Sequence, residues 1–558
     1  MTLIDYTLIL PSELLHAIFT LLPGRQYTSK LLRKVPSWVA VSQTCRRWRE
    51  ISLKCRALWT RAPFPNFAWA EEALRRSSPT LLDVFIDAAF HSEALIDLAL
   101  RDLSRIGALH LSLAAMSLSG NLPLVIANTK TENHVLPACA RGPAPNLEEL
   151  SIVVANDFDG LRRELLLLSK GIFGEVVPVH LRRLVLEGCV LPAGSSLLRA
   201  HLTSLTLSST KAWSDFDEMR NSLTCMPRLE TLILRVNTLA NMDHPSLSSD
   251  TERQRVDLTR LHILDVWCAC LDDTSLLLDN VRIPMDASII VATGDSLGAS
   301  EHSLKRIATS FHNLMDACQS SRITYFQSTI SIPGSWFTYA GTQHTRDSTD
   351  LKHAENYVRV GRDVYHKRGL SLSVAQDVDE ISTRYTRFKR LLGIPAIASC
   401  RILSVRDFED HSPSTYWTDF FSNFTEVVEL DLVRRASFSF VDSMAIATHF
   451  PALRLLWISE ATITAREDDP PGLHRFQDDL RDGIFQRVAS GKLKKIRIFR
   501  CDVSAEYIRE LTDEIGTETI EWDGRERGWQ DARLSDAESS LLEDELDSSS
   551  DESSEDLL

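Results

Sequence analysis

The sequence has no CxxC pair among its ten cysteines, and their scattered spacing gives no framework of the kind small secreted domains use. A reduced compartment, cytoplasmic and/or nuclear, is the expectation. No stretch approaches the roughly eighteen consecutive apolar residues that a membrane helix needs, and the start, with Asp5 and Pro11 in its only apolar stretch, does not read as a signal peptide. Basic charge is in deficit: 61 Lys and Arg stand against 76 Asp and Glu, a formal net charge of −15. General affinity for nucleic acid is therefore not expected, because phosphate binding needs clustered cations. There is no GxxxxGK[ST] loop, no HExxH and no Rossmann-type glycine cluster, so neither a cofactor nor a metal is expected.

What is present is apolar material in two different rhythms. At 558 residues and 44% hydrophobic content the chain can support a large folded core. Leu14, Leu15, Ile18, Phe19 and Leu22 recur at helical spacing, and Pro11 stands where a helix start tolerates a missing N–H. A second stripe runs through Trp38, Val41, Cys45 and Trp48, with Arg46, Arg47 and Arg49 between its apolar positions, and Leu58-Trp59 follows. So small a head buries little of its own surface and gains stability by docking on something else. Periodicity alone leaves two readings open, a helical cap on a larger domain and a docking module.

The residues themselves favour the second. Leu10-Pro11-Ser12-Glu13-Leu14-Leu15 with Ile18-Phe19, then Cys45-Arg46-Arg47-Trp48-Arg49 and Leu58-Trp59, resemble the F-box, with the nearest likeness to F-box proteins of mushroom-forming fungi. The resemblance covers residues 5–62. It implies three helices whose Leu10, Pro11, Leu14, Leu15, Ile18, Phe19, Val41, Cys45 and Trp48 form the surface and underlying core that bind a Skp-type adaptor and, through it, a cullin. Two features depart from the family pattern: a long link from Pro23 to Pro36, and Thr44 where an apolar residue is common. The head is also basic, with ten cationic against three anionic side chains in residues 1–62. Without a recognition helix or base-reading groups, that charge reads as a solvated face or one that meets an acidic partner.

Behind the head the rhythm changes to LxxLxL, the strand signature of a leucine-rich repeat. It recurs at Leu81, Ile106, Leu147, Leu181, Leu202, Leu229, Leu261, Val427, Leu453 and Leu493. Three instances extend to LxxLxLxx(C/N)x(L/V), which places Cys189, Asn237 and Cys501 inside their coils. Helical returns are expected at Ser92 to Leu103, Leu161 to Ser169, Phe216 to Met226, Ser443 to His449 and Ala505 to Ile515. The fold class expected is α/β: an F-box followed by an irregular leucine-rich-repeat-like solenoid over 80–516. Residues 286–425 break the rhythm and are degenerate repeats or an insertion, the former favoured. Arg235, Trp267, Arg434 and Trp457 are candidate contact residues between the leucines.

Two chemical signals are weighed and set aside. Gly294-Asp295-Ser296-Leu297-Gly298 satisfies GxSxG and spells the GDSL of a hydrolase family, and Asp350/His353 and Asp363/His366 fit DxxH. With 16 histidines such pairs arise by chance, and no oxyanion-hole motif follows, so a turn is the better reading. Cys268 and Cys270 form a CxC pair with no second ligand pair nearby, which favours plain thiols over a metal site.

From Ser535 to Leu558 there are ten acidic residues, eight serines and no basic residue. That composition predicts a disordered tail over 530–558. Ser548, Ser549 and Ser553 each have an acidic residue three positions on, a context acidophilic kinases prefer, although a solubilising role is favoured. The expected function is a non-catalytic substrate-recognition subunit of an SCF-type E3 ubiquitin ligase. An F-box scaffold outside a ligase is the alternative, and a hydrolase using Ser296 a distant third.

Overall fold

The computed structural model describes residues 10–22, 37–61, 66–114, 128–155, 165–239, 255–284, 287–295, 301–319, 327–331, 336–342, 357–360, 363–366, 369–376, 400–406, 421–433, 436–437, 440, 449–463 and 471–525. They fall into two compact units, Met1–Thr293 and Gly294–Leu558. The acidic tail, Arg434 and Ser296 lie outside the described residues, as does the link from Pro23 to Pro36.

The first unit opens with five helices: α1 (Ser12–Thr20), α2 (Val41–Thr44), α3 (Arg46–Lys54), α4 (Arg56–Trp59) and α5 (Phe67–Ser77). Eight strands of the main sheet follow: β1 (Leu82–Asp87), β2 (Ile106–Ala114), β3 (Glu149–Ala155), β4 (Arg183–Glu187), β5 (Ser204–Ser208), β6 (Thr231–Val236), β7 (Ile263–Cys268) and β8 (Ser288–Asp295). Each pairs in parallel with the next in chain order. Parallel neighbours need a crossover between them, here supplied by Glu93–Ala99, Phe216–Thr224, Leu271–Asn280 and shorter turns.

The apolar triads explain why the strands stack. Leu184, Leu205, Leu232, Leu264 and Ile289 share one register line across five strands, and all are buried. Every residue of the seven LxxLxL sets in this unit is buried except Leu81, which is 41% exposed.

In the second unit β9 (Gln327–Ser331), β10 (Trp336–Thr342) and β13 (Gly369–Gln376) pair antiparallel, as do β11 (Tyr357–Val360) and β12 (Asp363–His366). From β14 (Ile402–Arg406) through β15 (Glu429–Val433), β16 (Leu455–Ser459), β17 (Lys495–Phe499) and β18 (Ile520–Trp522) every pair is again parallel. Within 286–425, where degenerate repeats or an insertion are expected, Ser288–Asp295 and Ile402–Arg406 pair in parallel with neighbouring strands, and strands between them pair antiparallel. A short apolar run has the same period in either orientation, so sequence could not separate the two.

A local turn recurs at the ends of four strands. Gly188, Ser209, Glu460 and Arg500 all have φ between 46° and 71°, and each stands at the same offset from the first apolar residue of its set. The residue after each, Cys189, Thr210, Ala461 or Cys501, is buried. Three of the four turn residues are not glycine, a conformation that costs roughly 1 kcal/mol each and that the buried neighbour must offset.

Cys189 and Cys501 occupy the interior as expected, their Sγ atoms 3.4 Å and 3.3 Å from the carbonyls of Glu187 and Ile458. Burial pushes both thiols up to about 12. Asn237 does not: it is exposed, because β6 runs on through Val236 with no left-handed residue there. The hydrogen-bonding role expected of an interior asparagine falls instead to Thr210, whose Oγ1 donates toward the carbonyls of Leu186 and Ser208 and accepts from the Cys189 N–H.

Of the expected returns, Glu93–Ala99, Phe216–Thr224 and Ala505–Ile515 are helical. Leu166–Leu167 is instead a short strand paired with Cys189–Val190. Leu165 to Leu168 alternate exposed and buried, a period of two that a run of four leucines conceals in sequence. Residues 443–448 lie outside the described residues.

The Ala505–Ile515 helix starts at Ser504, whose Oγ accepts from the Tyr507 N–H at 3.2 Å. Ser504→Ala is expected to lower stability by about 1 kcal/mol, read as a shift of the denaturant midpoint at unchanged slope.

Candidate functional site

α1 carries two apolar stripes side by side. Leu15 and Phe19, one turn apart, are buried. Pro11, Leu14, Ile18 and Leu21 follow one another at intervals of three and four, so they line the adjacent face. That face is open: Leu14 is 52%, Ile18 45% and Leu21 82% exposed, with Leu22 beside them at 41%. Pro11 is also exposed and sits just before the helix as its N-cap, with φ −54°. Its carbonyl accepts from the Leu15 N–H at 3.2 Å.

The nine residues expected at the docking surface thus divide by role. Leu15 and Phe19 are core, and Trp48 is half-buried with its ring 5.2 Å from that of Phe19. Leu10 is half-buried, and its carbonyl accepts from the Arg47 guanidinium. Cys45 is exposed and begins α3, its Sγ accepting from the Trp48 N–H at 3.5 Å. Val41 is half-buried on α2. Pro11, Leu14, Ile18 and Cys45 are the exposed members of the nine. Leu21 was not among the expected residues, although its spacing from Leu14 and Ile18 places it on their stripe.

The helices are held by a tryptophan cluster that the sequence only half reveals. Trp38 meets Trp59 edge-on at 5.1 Å and 83°, and Trp69 on α5 lies 5.6 Å from Trp59. The Trp59 Nε1–H donates to the Ser52 carbonyl at 3.3 Å. The Arg76 guanidinium sits 4.8 Å from the centre of the Trp59 ring and donates to the Leu53 carbonyl. Glu72 holds Arg75 and Arg76, and the Arg75 hydrogen bond, followed by that of Arg76, brings its carboxyl down to about 2. Trp69 and α5 were missed because they fall past the end of the resemblance.

The same elements fasten the head to β1. The Asp83 N–H donates to the Thr60 carbonyl at 2.9 Å, and the Arg61 guanidinium pairs with the Asp83 carboxylate at 3.1 Å. Arg105 donates to the Leu74 and Thr80 carbonyls and to Ser77 Oγ. The exposed stripe on α1 therefore belongs to a head whose attachment to the strand ladder is made of several directional bonds.

On the ladders, the side chains between the buried leucines form a strand face on which Ile233, Asp265, Ser404 and Glu429 are buried and the others named below are half-buried or exposed. In the first unit Arg235 and Trp267 stand side by side in register; Trp267 is 39% exposed, and Arg235 pairs with Asp265 at 2.7 Å. In the second unit Ser404, Asp431, Trp457, Arg497 and Glu521 form one row across five strands. Arg497 stacks 4.5 Å from the centre of the Trp457 ring and pairs with Glu521 at 2.7 Å.

Only some residues of the alternative chemistries are among those described. Asp363 and His366 are at opposite ends of β12, while Ser296, Asp350 and His353 lie outside the described residues. Burial pushes the Cys268 thiol up to about 12 and raises that of Cys270 as well. Among the described residues no group of His, Cys, Asp and Glu could hold a metal ion, and no helix is long and apolar enough to cross a membrane.

The family model described as F-box-like matches residues 7–63. The chain therefore carries an F-box-like domain there, a class of docking module whose members typically bind Skp-type adaptors. No curated protein matches the chain.

Proposed function

We propose that the protein is the substrate-recognition subunit of an SCF-type ubiquitin ligase. In this reading the α1 stripe docks on a Skp-type adaptor, the adaptor joins a cullin, and the ladder, read as a leucine-rich-repeat-like solenoid, presents its strand face to a protein substrate. The observation that carries it is the exposed apolar stripe Pro11–Leu14–Ile18–Leu21 on an F-box-like domain, since soluble surfaces seldom leave such a stripe without a partner. The chain performs no bond chemistry in this account. It raises the local concentration of a bound substrate near a charged conjugating enzyme.

Affinity capture of the full chain tests this. The reading expects a Skp-type adaptor and a cullin together, with α1 variants losing both. Adaptor without cullin would instead support a scaffold outside a ligase. Ester hydrolysis by the chain that disappears on Ser296→Ala would replace the reading with an enzymatic one.

A further inference from the structure

On the strand face of the second unit one carboxylate stands apart from the charges around it. Asp431 is half-buried, and each of its oxygens accepts one hydroxyl: Ser404 Oγ at 3.1 Å and Ser459 Oγ at 3.0 Å. Those serines come from the strands on either side, so three consecutive strands build the seat. A carboxylate deprived of water is ordinarily offset by a cation. Among the described residues Asp431 forms no ion pair. Arg406 acts on it only at longer range, and Glu460 opposes that effect.

Of the cations on the same face, Arg406 is exposed at the end of β14, two residues along from Ser404, while Lys495 and Arg497 are engaged elsewhere. Lys495 and Arg497 both bind Glu521, at 2.7 Å each. Arg497 also covers one face of Trp457, the neighbour of Asp431 in register. Two hydroxyl bonds leave acceptor capacity on both carboxylate oxygens. Phe499, on the next strand but one, is 44% exposed and offers apolar surface at the edge of the seat.

We propose that this strand face binds a lysine or arginine side chain of a protein partner, with Asp431 as the anchoring carboxylate. The proposal rests on the reading of the strand face as the substrate surface and names the kind of residue it selects. Ser404 and Ser459 hold the carboxylate in place, and the half-buried setting strengthens its bond to an incoming cation.

The test uses the full chain and short peptide pools whose central residue is fixed as Lys, Arg, Gln or Glu and whose flanks are randomised. The expected result is a preference for Lys- and Arg-centred pools over Gln-centred ones of about tenfold or more, the scale of one hydrogen bond to a charged group. Asp431→Asn, close in shape but uncharged, should bring that preference to within about twofold, while Asp431→Glu keeps it. An unchanged preference in Asp431→Asn, equal loss in both variants, or no basic preference in the parent would overturn the proposal. If Phe499→Ser weakens all pools while no basic preference exists, the face remains the binding surface and only the cation seat is lost. If neither position affects any pool, the reading of the face falls as well.

Discussion

Replacing Leu14 and Ile18 together by aspartate is expected to lower affinity for a Skp-type adaptor by about a hundredfold or more, with little change in the thermal unfolding of the chain. Both side chains are about half exposed, so folding gains little from them. Buried at the centre of an interface, each would contribute at the scale of a hot spot, about 2 kcal/mol. Charge there adds the cost of burying an unpaired carboxylate against an apolar partner. Leu15→Asp is the contrasting control: Leu15 is buried, and its replacement should unfold the head itself. Titration calorimetry against the adaptor, paired with thermal melts, separates the two cases. Equal loss of binding and of melting cooperativity in the surface variant would mean that the stripe is core.

The second large effect is expected at Trp59. Its ring contacts Trp38, Trp69 and the Arg76 guanidinium, and its Nε1–H is bonded to the Ser52 carbonyl. Truncation of a buried tryptophan typically costs about 3–5 kcal/mol, and here it also removes the support of Arg76, which ties α5 to α3. Trp59→Ala is therefore expected to expose residues 37–77 to hydrogen exchange and proteolysis while the β4–β7 strands stay protected. Uniform loss of protection across the first unit would show instead that head and ladder unfold as one.

Much of the ladder was legible because its signal repeats. Each LxxLxL set states the same burial pattern, and β4 to β7 each begin two residues after their predicted starts at Leu181, Leu202, Leu229 and Leu261. What was not legible depended on backbone conformation. Asn237 matched the pattern but not the turn, since no left-handed residue precedes it, whereas Thr210 fills the interior role without matching. Leu166–Leu167 hid a strand inside a leucine run that reads equally well as helix. The antiparallel β9, β10 and β13 could not be told from parallel ones, because orientation leaves no trace in a short apolar segment.

At the head, the residue types were readable but their division was not. Helical spacing assigned Leu14, Leu15, Ile18 and Phe19 to one apolar group, and only packing against Trp48 decides which pair faces inward. The role of Asp431 was invisible for the same reason. One aspartate between two leucines looks like any solvated strand residue until Ser404 and Ser459 are seen to flank it.

The most direct measurement is reconstitution of the full chain with a purified Skp-type adaptor and a cullin, followed by sizing and mass determination of the product. The account predicts a stoichiometric complex of all three, with micromolar or tighter adaptor affinity, about −8 kcal/mol or better, and no such complex from the chain carrying Leu14→Asp and Ile18→Asp. A folded parent chain that stays free of adaptor at concentrations well above micromolar would contradict it.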